Sequence, residues 1–87
     1  MSKKVYSIEI IPAIYIGKRE DGNVLLRCLQ GEETVDRAFQ PELFDEIENL
    51  KYILLSVMTG GNFIGLNIYD GTEFENLYHE KWDVLLK

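Results

Sequence analysis

The chain has 87 residues, 46% of them hydrophobic, with one Trp, five Tyr and four Phe; this length supports one hydrophobic core, hence a single domain over residues 1–87, and the composition excludes intrinsic disorder. Net charge is −6, unevenly spread: residues 1–31 carry five Lys/Arg against three acids (+2), and residues 32–87 carry four against twelve (−8). No basic stripe is left to meet phosphate, so direct nucleic-acid binding is not expected.

The opening MSKKVYSIEIIPAIYIG imitates a signal peptide through Lys3-Lys4 and an apolar run. Glu9 and Pro12 interrupt that run and no small-residue cleavage site follows, so a strand is expected instead. No segment approaches the ~18 apolar residues of a membrane span, so no membrane partner is expected. The even positions Tyr6, Ile8, Ile10, Pro12, Ile14 and Ile16 are apolar, a period of two that predicts one long strand bent at Pro12. Proline has no N–H to give to a ladder, and therefore marks an edge position or a bulge.

The turn from Arg19 to Asn23 allows two registers. A bulged loop with Gly22 left-handed sets Ile14 opposite Cys28, Ile16 opposite Leu26 and Lys18 opposite Val24, gathering apolar side chains on one face, and is preferred to a two-residue Asp21-Gly22 loop. Cys28 is the chain's one cysteine, so no intrachain disulfide forms; it reads as a small core residue in a protein of a reducing, cytoplasmic compartment. A two-residue Gly31-Glu32 loop then lays Val35 beside Cys28, Asp36 beside Arg27 and Phe39 beside Val24. The Arg27–Asp36 pair is worth at most about 1 kcal/mol and serves register more than stability.

Pro41 suits the first turn of a helix with Leu43, Phe44, Ile47 and Leu50 on one face and the acids Glu42, Asp45, Glu46 and Glu48 on the other. The stretch KYILLSVMTGGNFIGLNIYDG, Lys51 to Gly71, follows as a hairpin. A Gly60-Gly61 loop would pair Val57 with Ile64, Leu55 with Leu66 and Ile53 with Ile68 on one face. Tyr52, Leu54, Ser56 and Met58 would meet Tyr69, Asn67, Gly65 and Phe63 on the other. A last helix is expected from Thr72, with Thr72 and Glu75 as a capping box and Phe74, Leu77, Tyr78, Trp82 and Leu85 on its buried side. The fold expected is α+β: a mainly antiparallel curled sheet or half-barrel of five to six strands with two short helices, in the order βββ(β)αββα.

Little in the sequence suggests catalysis. One His and one Cys cannot build a zinc site or most triads. His79, flanked at four residues by Glu75 and Asp83, reads as a solvated helix face. Gly60-Gly61 precedes a strand, whereas phosphate-cradling loops precede a helix. No enzyme activity, metal or cofactor is expected. The two helices can shelter one face of the Gly-Gly hairpin, which leaves Tyr52, Leu54, Met58, Phe63 and Tyr69 either as a second core or as a contact surface. The function expected is a small acidic non-catalytic protein-binding module, of inhibitor, adaptor or immunity type. It would dock on a protein partner or on itself through that apolar face, an unpaired sheet edge, or the acidic helix with Glu42, Asp45, Glu46 and Glu48. The alternative is a small-molecule binder or minor enzyme with a half-barrel pocket lined by Tyr15, Tyr52, Tyr69 and Tyr78.

Overall fold

Three tight turns, each with a glycine at positive φ, fold the alternating apolar segments back on one another. A computed structural model describes residues 6–40, 42 and 47–87, and Phe63 by its backbone alone. The elements are β1 (Ser7–Lys18), β2 (Val24–Gln30), β3 (Glu33–Phe39), β4 (Ile53–Gly60), β5 (Phe63–Asp70) and α1 (Glu75–Leu86), with 3-10 turns at Ile47–Asn49 and Thr72–Phe74. The strands form one antiparallel sheet in the order β3-β2-β1-β4-β5. This is the expected α+β arrangement with five strands, an open rather than closed sheet, and one α-helix among the described residues. The predicted helix after Pro41 falls mostly outside the described residues, as do Leu43, Phe44, Asp45 and Glu46; its end, Ile47–Asn49, is a 3-10 turn.

Turn chemistry sets the registers. Gly22 has φ 90° and the Arg19 N–H donates to the Asn23 carbonyl at 2.8 Å, the expected bulged loop. Asp21 accepts the Asn23 N–H at 3.0 Å, which braces it. Lys18 accordingly faces Val24, but the register shifts between Tyr15 and Gly17, so that Tyr15 faces Leu26 and Ala13 faces Cys28. Ile16 is the extra residue, and this bulge moves Ile14 to the other face of the sheet, correcting its expected place beside Cys28. Gly31 (φ 65°) closes the β2–β3 turn with Cys28 facing Val35, Arg27 facing Asp36 and Val24 facing Phe39, as expected. Arg27 donates to Asp36 at 3.0 Å. In the last hairpin the loop is Gly61-Asn62, not Gly60-Gly61: Gly60 pairs with Phe63, Val57 with Leu66 and Leu55 with Ile68. The ring of Tyr6 lies over Gly60 where a Cβ would collide, so this strand position has room for glycine alone. A shift of two preserves which residues share a face.

Pro12 pairs with Leu54 of β4, while the β2 ladder starts one residue later at Ala13. Its missing N–H therefore coincides with the end of a ladder, where it costs least. Residues 7–12 of β1 are paired on the β4 side alone.

Each face of the sheet has its own cover. On one, Leu26, Cys28, Ile53, Leu55 and Ile68 cluster with Ile47 of the 3-10 turn. Phe39 of edge strand β3 and Leu66 of edge strand β5 both pack on this cluster, so the sheet curls toward it without closing. On the other face α1 lays Trp82 and Leu85 over Ile14, Leu29 and Leu54, with Tyr52 and Tyr78 beside them. Both helices had been expected on the Ile53–Leu55 face. Instead α1 sits opposite, because the bulge and Leu29 make that face apolar too. Its buried residues are Trp82 and Leu85, with Tyr78 half-buried beside them; Phe74 and Leu77, expected to be buried, are exposed.

Trp82 is fully enclosed and its Nε1–H donates to the Ala13 carbonyl at 3.1 Å, pinning α1 to the middle strand. The rings of Tyr52 and Tyr78 pack on it with centroids at 4.8 and 6.0 Å. No capping box forms. Asp70 instead accepts the Thr72 backbone N–H at 2.9 Å and its hydroxyl at 2.6 Å. These bonds, from the hydroxyl first, hold the Asp70 carboxyl below its ordinary value.

Cys28 is wholly buried and burial pushes its thiol up to about 11. At pH 8 a rise of this size from the ordinary 9.0 leaves about 100-fold less thiolate than in an exposed cysteine. A disulfide reagent such as Ellman's should therefore label the folded protein at least ~100-fold more slowly than the urea-unfolded chain. Equal rates would place the thiol at the surface.

Candidate docking surface

Three backbone edges of the sheet lack a strand partner among the described residues: β3, the first half of β1, and β5. An open edge invites pairing with another chain, and proteins blunt it with charge, proline or bulges. The β3 edge carries Glu33, Asp36 and Arg37, the last donating to Gln30 at 2.6 Å. The β1 edge carries Glu9 and Pro12. The β5 edge has no such device: Phe63 to Tyr69 is uncharged, and its register with β4 runs through eight pairs without a shift.

Apolar side chains flank this edge on both faces. On the α1 side, sheet rows run Pro12–Leu54–Tyr69, Ile10–Ser56–Asn67 and Ile8–Met58–Gly65. Trp82 covers the first row at Leu54; the next two lie beyond α1. Ile8 is 65% exposed, and Tyr6, Tyr69, Ile10 and Phe74 are exposed with it. No charged residue interrupts these rows. A groove of about 320 Å³ runs between them and the start of α1, lined by Ile10, Ser56, Tyr69, Phe74 and Tyr78. On the opposite face a second groove of about 320 Å³ separates Phe39 and Arg37 from Ile64 and Leu66.

The predicted contact residues thus divide. Leu54 is core under Trp82, and Tyr52 is half-buried in its stack, so neither presents a free surface. Tyr69 is exposed and Met58 half-buried on the open rows; the Phe63 side chain lies outside the described residues. Glu42 and Glu48 are exposed, and Asp45 and Glu46 lie outside the described residues. Ile64, expected in the core, is 76% exposed because β5 at that end runs past every covering element. Ile8 and Ile10 are contributors that hairpin reasoning alone omitted; the signal was the even-numbered apolar run of β1, continuing beyond the length α1 can cover.

The four tyrosines of the pocket reading divide between the two faces, Tyr15 on one and the other three on the α1 side. Tyr15 packs on the curled-face cluster, Tyr52 stacks on Trp82, and Tyr69 and Tyr78 line the α1-side groove. His79, Glu75 and Asp83 are all exposed on α1. Among the described residues no group of three His, Cys, Asp or Glu is placed to hold a metal ion, and no helix is long and apolar enough to cross a membrane. Comparison with protein-family models, with curated proteins and with solved structures gives no match to this chain.

Proposed function

We propose that this protein is a small acidic, non-catalytic protein-binding module, cytoplasmic in keeping with its single unpaired cysteine, which docks through the β5 edge and the apolar rows beside it. The observation that carries this reading is the undefended edge from Phe63 to Tyr69, with Ile64 and Tyr69 exposed on it and Ile8 and Ile10 exposed two strands in from it. Strand addition supplies affinity from backbone hydrogen bonds and specificity from alternate side chains, and needs no catalytic group. Interface cores favour aromatic, aliphatic and Met side chains over charged ones, the composition of these rows.

Docking by apolar contact and backbone pairing depends little on salt, whereas docking by Glu42 and Glu48 would weaken steeply up to about 0.15 M ionic strength. The immobilised chain should hold its partner across that range, and an Ile64→Asp variant that melts like the wild type should lose it. A complex that dissolves with salt, or that survives the substitution, would move the contact to the acidic surface or to the Ile8–Ile10 rows of β1.

A further inference from the structure

We propose that the occupant of the β5 edge is the β5 edge of a second copy, the two strands pairing antiparallel about Leu66 so that two five-stranded sheets join into one. This inference rests on the docking reading and names its partner. Phe63-Ile64-Gly65-Leu66-Asn67-Ile68-Tyr69 reads nearly alike in both directions: aromatic, Ile, short, Leu, short, Ile, aromatic. A two-fold axis through Leu66 sets Leu66 against Leu66, Gly65 against Asn67, Ile64 against Ile68 and Phe63 against Tyr69. Each pair joins positions of like parity, so the curled face of one sheet continues as the curled face of the other. Ile64, open in the single chain, meets Ile68 directly and Leu66 on the diagonal.

Charge favours this choice of edge. Two chains of net charge −6 repel, and β5 lets them meet without opposing acids, since the nearest one, Asp70, falls opposite Asn62. The other edges are occupied or defended: β3 by Asp36 bound to Arg27 and Arg37 bound to Gln30, β1 by Glu9 and Pro12. The contact is isologous and consumes each β5 once, so it closes at two copies.

Sedimentation equilibrium over a concentration series should give a mass near twice the 10.1 kDa of one chain. Ile64→Lys should weaken the association about 10-fold or more, a loss of about 1.4 kcal/mol, while leaving the melting temperature of the single chain in place. Leu66→Cys should form a disulfide-linked dimer on mild oxidation, because directly opposed residues lie within disulfide reach. Asn67→Cys, offset from its own copy by two residues, should not. The buried native thiol does not compete. A single-chain mass at all concentrations, an unaffected Ile64→Lys dimer, or equal cross-linking at positions 66 and 67 each overturns the pairing. A monomer that still holds another protein, and loses it on Ile64→Asp, overturns the dimer and leaves the module; a monomer that holds nothing overturns both.

Discussion

Trp82→Ala is expected to destabilise the fold by about 3–5 kcal/mol, the range for removing a large aromatic from a core. Total stabilities of small domains are about 5–15 kcal/mol, so a large part of the folded population at 37 °C should be lost. The reason is the number of roles the one side chain fills. Trp82 is fully buried, bridges α1 to Ile14, Leu29 and Leu54, carries the rings of Tyr52 and Tyr78, and satisfies the Ala13 carbonyl. Trp82→Phe keeps most of the packing and removes one hydrogen bond to that carbonyl, for an expected cost of about 0.5–1.5 kcal/mol. Urea unfolding followed by far-ultraviolet circular dichroism measures both. A cost for Trp82→Ala below about 1 kcal/mol, the size of a typical surface effect, would show that α1 is not anchored through this ring.

Gly71→Ala should cost about 1–3 kcal/mol through overpacking. Gly71 has φ −88°, ordinary backbone for any residue, so conformation does not demand glycine here. Space does. A Cβ at this position would lie 2.6 Å from the Trp82 ring and 3.2 Å from Leu54 Cγ. The two sites must therefore couple. In a Trp82→Leu background, where the six-membered ring is gone, the same glycine substitution should cost less by about 0.5 kcal/mol or more. Additive costs in a double-mutant cycle would instead assign the glycine a role in the turn before α1.

Where one turn geometry dominated, the sequence was legible to the residue: Gly31 closes the only loop that puts Arg27 against Asp36, and the β2–β3 register follows. Gly60 and Gly61 offered two loops that glycine content alone does not separate, and the chain uses the one that leaves Gly60 in the strand beneath the ring of Tyr6. Faces survived that slip because parity is blind to a shift of two. The Ile16 bulge was not legible from alternation, which looks unbroken through β1, and it changes the side to which Ile14 belongs. The side taken by α1 was hidden for a related reason: once both faces are apolar, hydrophobicity cannot choose; on the side taken, Gly71 leaves room for the Trp82 ring. Of the candidate contact surface, Met58 and Tyr69 were readable as uncovered hairpin residues. Ile64 was not, since its exposure depends on where the covering elements stop.

The place of β1 has a consequence for how the molecule comes into being. The hairpins β2–β3 and β4–β5 close over short loops, but β1 must find β4 across the intervening chain, Ser7 meeting Thr59 and Ala13 meeting Ile53. β1 is thus synthesised well before the strand that completes it, and its β4-facing edge waits until the chain has emerged as far as Thr59. Such long-range closure is entropically costly and places folding toward the slow, millisecond-to-second end for domains of this size. A charge at Glu9 and a missing N–H at Pro12 are features that make an unpaired strand a poorer template for another chain during that wait.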